Sequence, residues 1–514
     1  MGLGMYSRVF LIVAALMLTP SKANAKWYEA KSRHFVVYSE QKPDDLKAYA
    51  SKLERYDSAI RAVRRMKDPS PNSSDRLTVY VVKDAYAVAS LAGARGSGIL
   101  GFWKSPAAGP VAFANSEPKR NEYALDGQTV FFHEYLHHLM LQDATVAYPT
   151  WMSEGYAEFF ATAEFHDDGS VEFGKPPNYR GYELAKLEAM PLSEMLGGIY
   201  NRTTGEEWLS QYSRGWLLTH YLAFEPSRQG QIDRYVDAIQ AGVPALEAAK
   251  QAFGDIKQLD RELSRYYDRK TIPTRIIPAS LIKVGPVAVR PLAADEDAIL
   301  ETRMKLDAGL QRGEGRYVAG GARKVAETFP RSARVLAVLA RAEFEAKHYN
   351  DAAAAADRAL AIDPKSIPAL VYKGRALMEM AKERPAAADW SNIRSWFSRA
   401  NHIDPERAEP LALYYQSFVK EGVAPPTEAV DGLLAAIQFS PQDDELRLMG
   451  VREMVNEHDL RTAAMLFKPI AYSPHSGKEH RRNLEIMDKM KAADGATALT
   501  MLEEDEKKRE KERD

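Results

Sequence analysis

The sequence contains no cysteine. Such a chain forms no disulfide and lacks the thiolates that most structural zinc modules use, so its stability rests on core packing. It also lacks an excess of either charge, with 69 Lys and Arg against 71 Asp and Glu. Without a basic stripe, no nucleic-acid partner is expected. Beyond the first 25 residues, no apolar run approaches the roughly 20 residues that a membrane-spanning helix needs.

Those first 25 residues read as a secretory signal. Arg8 supplies the positive end, Val9 to Leu18 the apolar run and Ala23-Asn24-Ala25 the small-residue cleavage site, so Lys26 would begin the mature protein. The expected address is the periplasm. Secretion, or anchoring by an uncleaved signal, is the alternative. At 514 residues the chain exceeds one ordinary domain.

The richest stretch is 129–158. Phe132, Leu136, Leu139 and Met140 recur with the period of a helix, which puts His133 and His137 one turn apart on one face. That spacing lets two imidazoles hold one ion. Glu134 borders the same face, where a carboxylate can act as general base without ligating the metal. A catalytic zinc needs a third protein ligand and an open position. Glu154 is the best candidate, on a second helix begun by Pro149. Glu158 lies one turn further on, where it can accept the free N–H of a ligand histidine, a role we assign toward His133. His138 points about 100° away from His137, into the layer behind the site or to the surface.

His133-Glu134-Tyr135-Leu136-His137 followed by Trp151-Met152-Ser153-Glu154-Gly155-Tyr156-Ala157-Glu158 resembles the gluzincin metallopeptidases, in particular bacterial peptidase MA-like proteins that carry tetratricopeptide repeats. The resemblance covers about half the chain. It implies an α+β, thermolysin-like zinc peptidase domain with one Zn2+ per chain, His133, His137 and Glu154 as ligands, and Glu134 as base. It also implies an edge strand that pairs with the substrate backbone, and Val111-Ala112-Phe113-Ala114, the last strand before the zinc helix, resembles it. The same residues equally fit an ordinary core strand. Related enzymes supply a tyrosine hydroxyl from a helix after the third ligand. The helix expected over 208–222 offers Tyr212 first, with Tyr221 and His220 as alternatives, and a buried tyrosine making one hydrogen bond is the plainer reading of Tyr212.

Around this centre the sequence predicts strands near 33–39 and 77–82 with a helix over 45–66 between them, a β-α-β order expected to form a small sheet. Residues 26–120 are thus read as the α/β part of the peptidase domain and 121–270 as its helical zinc-bearing part. Glycine-rich 92–98 lacks the strand, spacing and lysine of a phosphate loop and reads as a turn. Prolines at 273, 278, 286 and 291 mark 271–296 as an extended linker. Prolines at 330, 364, 405, 441 and 474 then follow alanine-rich helical runs at gaps of 34, 41, 36 and 33 residues. This is close to the tetratricopeptide period, and 297–490 is read as an all-α solenoid of four to five units. The stretch 491–514 is read as a charged tail, its end 503–514 expected to be a solvated, frayed helix or disordered.

The combined expectation is an exported zinc peptidase, an endopeptidase because no glycine-rich amine-binding motif precedes His133. Its repeats would bind a substrate protein or a protein partner. The alternative is a non-catalytic envelope scaffold whose zinc site is structural or vestigial.

Overall fold

The computed structural model describes residues 27–68, 76–141, 148–198, 205–382, 388–472 and 479–513. The signal sequence, Pro474 and residues 384–387 of the insertion between repeat helices lie outside them. No helix among the described residues is long and apolar enough to cross a membrane.

The chain opens with β1 (Tyr28–Lys31), β2 (Phe35–Ser39), α1 (Pro43–Arg64), β3 (Leu77–Val82), α2 (Ala85–Leu91), β4 (Gly101–Lys104) and β5 (Val111–Asn115). β2, β3 and β5 run parallel, β1 and β4 antiparallel to their neighbours, and with a later strand, β9 (Ala288–Pro291), they form a six-stranded sheet ordered β4-β5-β3-β2-β1-β9. Side chains alternate across it, as strand geometry requires. Phe35, Val37, Val79 and Ala112 face α1 and the helices that follow the sheet in the chain. Tyr38, Tyr80 and Phe113 face the opposite layer, built by α2 and the first helix of the repeat region.

The sheet order corrects one expectation. Val111 to Ala114 form no edge: β5 is paired on both sides, with β3 and with β4, and β4 is the outermost strand on that side of the sheet. All five residues of β5 are buried, and Phe113 stacks on Phe102 and Tyr80. An apolar run of that kind suits the middle of a sheet covered on both faces.

The helical half contains α3 (Gly127–Leu141), α4 (Thr150–Ala161), the hairpin β6 (Glu164–Phe165) and β7 (Val171–Phe173), α5 (Gly181–Lys186), α6 (Leu192–Gly197), α7 (Gly205–Phe224), α8 (Gln231–Gln240), α9 (Ala245–Phe253) and α10 (Ile256–Tyr267). The proline-rich segment after it is extended but is not a simple tether. Its β8 (Arg275–Ile277) adds to the hairpin and its β9 (Ala288–Pro291) adds to β1, so it stitches both sheets before entering the repeats.

Among the described residues the C-terminal region is a helical solenoid of six antiparallel pairs: α11 with α12 (Ala294–Ala308, Gly315–Thr328), α13 with α14 (Ala333–Glu345, Tyr349–Ile362), α15 with α16 (Ile367–Ala381, Trp390–Ile403), α17 with α18 (Ala408–Glu421, Thr427–Phe439), α19 with α20 (Asp444–Asn456, Leu460–Ala471) and α21 with α22 (His480–Lys491, Gly495–Arg513). It exceeds the expected four to five units and, through α22, runs past the expected boundary at 490. α11 joins the repeats to the sheet through Leu300, Met304 and Ala308, with Asp307 accepting from Tyr80 Oη at 2.7 Å and from Arg341 Nη1 at 2.5 Å. The C-terminal stretch is no free tail, because Ala498, Met501 and Leu502 are buried in the last core of the solenoid and only the charged end of α22 follows them.

Candidate metal centre

Helix α3 is placed by its neighbours. Asp126 accepts from Thr129 N at 2.8 Å and Thr129 Oγ1 at 3.0 Å, capping its start. From α1, Tyr56 stacks on Phe132 at 3.9 Å and donates to its carbonyl at 3.0 Å, and Asp57 accepts from Tyr135 at 2.7 Å. These contacts set the rotation of α3, so the face bearing His133 and His137 turns toward α4. α4 is set in turn by α7. An added Cβ on Gly155 would lie 2.3 Å from the Gly215 carbonyl oxygen, so two glycines allow backbones to meet where any side chain would part them. The small residue after Glu154 thus serves the α4–α7 crossing.

Three donor atoms converge there. His133 Nε2 lies 3.1 Å from His137 Nε2 and 3.1 Å from Glu154 Oε2, and His137 Nε2 lies 3.6 Å from the same oxygen. All three lie within 4.8 Å of one another, and Glu154 is 1 % exposed. Behind them, His133 Nδ1 stands 3.4 Å from Glu158 Oε1, and Ser153 Oγ lies 3.2 Å from His137 Nδ1. Glu158 also accepts from Tyr179 Oη at 2.6 Å and from Arg180 Nη2 at 2.8 Å and Nε at 3.1 Å.

The electrostatics favour a cation. Burial disfavours a charged His133, yet its bonds to Glu154 and Glu158 push its pKa up to about 10. Burial likewise opposes ionisation of Glu154 and Glu158, but the histidines hold Glu154, and His133 and Arg180 hold Glu158, below the usual carboxylate range. Two buried carboxylates and two imidazoles with convergent nitrogens suit a divalent ion with nitrogen and oxygen ligands, and this donor set fits zinc. A second grouping, Glu343, His348 and Asp351, already has its cation: Arg323 spans Glu343 with two contacts of 2.6 Å.

Glu134 is half-buried on the α3 face next to the histidines. Along that face runs β4, with Val130 touching the position of a Gly101 Cβ at 3.1 Å and Trp103 meeting His138 edge-on at 5.8 Å. His138 is buried against Trp103 and Tyr135.

Tyr212 on α7 reaches the centre, its ring 6.0 Å from His133 and covered by the Arg180 guanidinium at 4.6 Å. Burial, with Glu154, Glu134 and Glu158 adding, raises its pKa well above the ordinary phenol value, so the hydroxyl keeps its proton. The two alternatives do not reach the centre. His220 is fully buried against Tyr266 Oη at 2.8 Å and the Gly174 carbonyl at 2.9 Å, and Tyr221 donates to Glu262 at 2.8 Å. Both residues lie more than one turn beyond Gly215, where α7 meets α10 and the Gly174 backbone that follows β7. Arg180, which ties Glu158 to Tyr212, and Tyr179, which donates to Glu158, are the residues the sequence did not reveal. They come from a short 3-10 turn with no local motif.

No protein-family model and no curated protein matches the chain. Solved structures do. It is similar to a thermophilic tetratricopeptide protein of Thermus thermophilus, at 14 % identity and TM-score 0.32 over 37 % of this chain and 98 % of that one. It is similar to Pseudomonas aeruginosa pilF, at 19 % and 0.32 over 40 % and 88 % of the two chains. Yeast Tom70 follows at 13 % and 0.25 over 58 % and 63 %.

Proposed function

We propose that the protein is an exported zinc-dependent peptidase with an attached tetratricopeptide-like module that binds its substrate or a protein partner. The observation that carries this is the convergence of His133, His137 and Glu154 to within 4.8 Å, with Glu134 beside them and Tyr212 opposite. His133, His137 and Glu154 would hold the ion, which when bound acidifies a water and polarises a carbonyl.

The protein's own groups do the rest. Glu158 fixes the tautomer of His133, and Arg180 and Tyr179 keep that carboxylate ionised and in place. Glu134 takes the proton of the attacking water and returns it to the leaving amine. Tyr212, held by Arg180, donates to the oxygen on which charge develops. Among the described residues β4 pairs only with β5, so its outer edge supplies backbone groups for an extended substrate beside Glu134.

A second reading has support in the size of the solenoid, whose six helical pairs make up the larger share of the helices: an interaction scaffold with a structural zinc site. One pair of proteins separates the two. Zinc-loaded mature protein and its Glu134→Gln variant are given a mixed peptide library, with metal content measured alongside. The peptidase reading expects equal zinc and a loss of cleavage in the variant on the order of 10²–10⁴-fold. Bound zinc with no product from the unaltered protein favours the scaffold.

A further inference from the structure

We infer that the solenoid closes one end of the cleft, so that the protein trims extended peptides two or three residues from their N-terminus and does not cut in mid-chain. The inference rests on the peptidase reading and goes beyond it to the substrate.

The cleft has two ends, because β4 and α3 run in the same direction: Gly101 lies by Val130 and Trp103 by His138. At the His138 end the solenoid returns to the catalytic half. Gln442, in the turn between α18 and α19, reaches His138 Nδ1 at 3.3 Å and its carbonyl at 3.4 Å. Arg407 donates to the Ala108 carbonyl at 3.2 Å in the β4–β5 turn, Lys104 donates to the Ala308 carbonyl, and Ala107 packs on the last solenoid core. Lys468 extends the contact to Gln240 of α8 at 3.3 Å. At the other end, beside the start of α3, Tyr123 and Leu125 are 67 % and 38 % exposed.

The closed end is near the chemistry. From Glu134 to His138 is one turn, about 6 Å along the axis. At about 3.3 Å per extended residue, that distance holds roughly two residues before the wall formed by Gln442 and the β4–β5 turn. Orientation follows from the strand. β4 points toward the closed end, so a peptide added in the antiparallel sense, the commoner and more stable pairing, has its N-terminus there. The long remainder of the substrate leaves past Tyr123 and Leu125.

The test compares a short linear peptide with the same sequence cyclised head to tail, both given to the zinc-loaded protein, with products sequenced by mass spectrometry. Release of di- or tripeptides from the N-terminus and no cutting of the ring are expected. First cuts in the middle, removal of residues from the C-terminus, or hydrolysis of the ring at a comparable rate would overturn the inference. A binding arm keeps it apart from the peptidase reading. Glu134→Gln protein should retain a peptide tethered to a folded domain through its C-terminus and lose it when the tether is at the N-terminus, whether or not the unaltered protein cleaves. Equal binding in both orientations overturns the closed end by itself. An Arg407→Ala, Gln442→Ala double variant should release longer N-terminal fragments.

Discussion

Two glycines show how differently the halves of this molecule are held. Gly155 in the half with the histidine–glutamate cluster faces the backbone of Gly215, whereas Gly374 in the solenoid faces the ring of Phe397, which a Cβ would approach to 2.5 Å. The first neighbour comes from a helix some sixty residues away in the chain, with the hairpin and two short helices between. The second comes from the next helix. In the solenoid, packing follows the chain pair by pair, with alanines such as Ala340, Ala356 and Ala376 fully buried. In the half that carries the histidine–glutamate cluster, distant segments meet around buried charges, and each of these charges is tied to another. A defect there should therefore reach the site, while one in the repeats should stay local.

Gly155→Ala is the hardest test of that contrast. The clash is with main chain, so overpacking at or above the upper end of the usual range, about 3 kcal/mol, is expected by denaturant unfolding, together with loss of zinc because α4 carries Glu154. Full zinc content in that variant would break the comparison. Glu158→Gln keeps the fold and weakens the support of His133, so zinc affinity should fall about 10- to 100-fold in competition with a chelator. Gly374→Ala should cost only about 1 kcal/mol, since the Phe397 ring can shift and alanine adds helix propensity, and zinc affinity should not change.

The smallest expected effect concerns pH. His34 at the start of β2 bonds Glu54 of α1 at 2.8 Å and Asp68 at 2.9 Å. Burial opposes its charge, but Glu54, Asp57 and Asp68 outweigh it and raise its pKa above 6.5. Burial also opposes ionisation of Glu54, and the bonds from His34 still bring it below 4.5. A raised histidine contributes stability that is complete below 6.5 and lost as pH climbs through its folded pKa. A depressed carboxylate contributes stability that is complete above 4.5 and lost as pH falls through its own. The pair is thus strongest between about 4.5 and 6.5 and weakens on either side. Thermal unfolding across pH should show a flatter profile for His34→Gln, and an unchanged profile would sink the assignment.

How much of this was legible depended on range in the chain. The repeat helices and the small N-terminal sheet could be read, because alternation and a helical period are local signals. The grouping of His133 with His137 is also local, one turn of one helix. The edge strand was misread because strand order is not local: β5 is the stronger strand by composition, and it is central for that reason, while weaker β4 with Gly101 at its start lies outermost. The reach of His220 and Tyr221 was misjudged because a helix of twenty residues touches different neighbours at its two ends.

The donor residues and their spacing, the helical repeats and the absence of any disulfide are legible in the order of residues alone, since each depends on residue type and short-range period. Long-range packing alone makes Glu154 meet the two histidines, ties Glu158 to Tyr212 through Arg180, joins α11 to the sheet as much as to the repeats, and returns the solenoid to His138. Those facts depend on burial of one apolar surface against another across hundreds of residues, which no local pattern specifies.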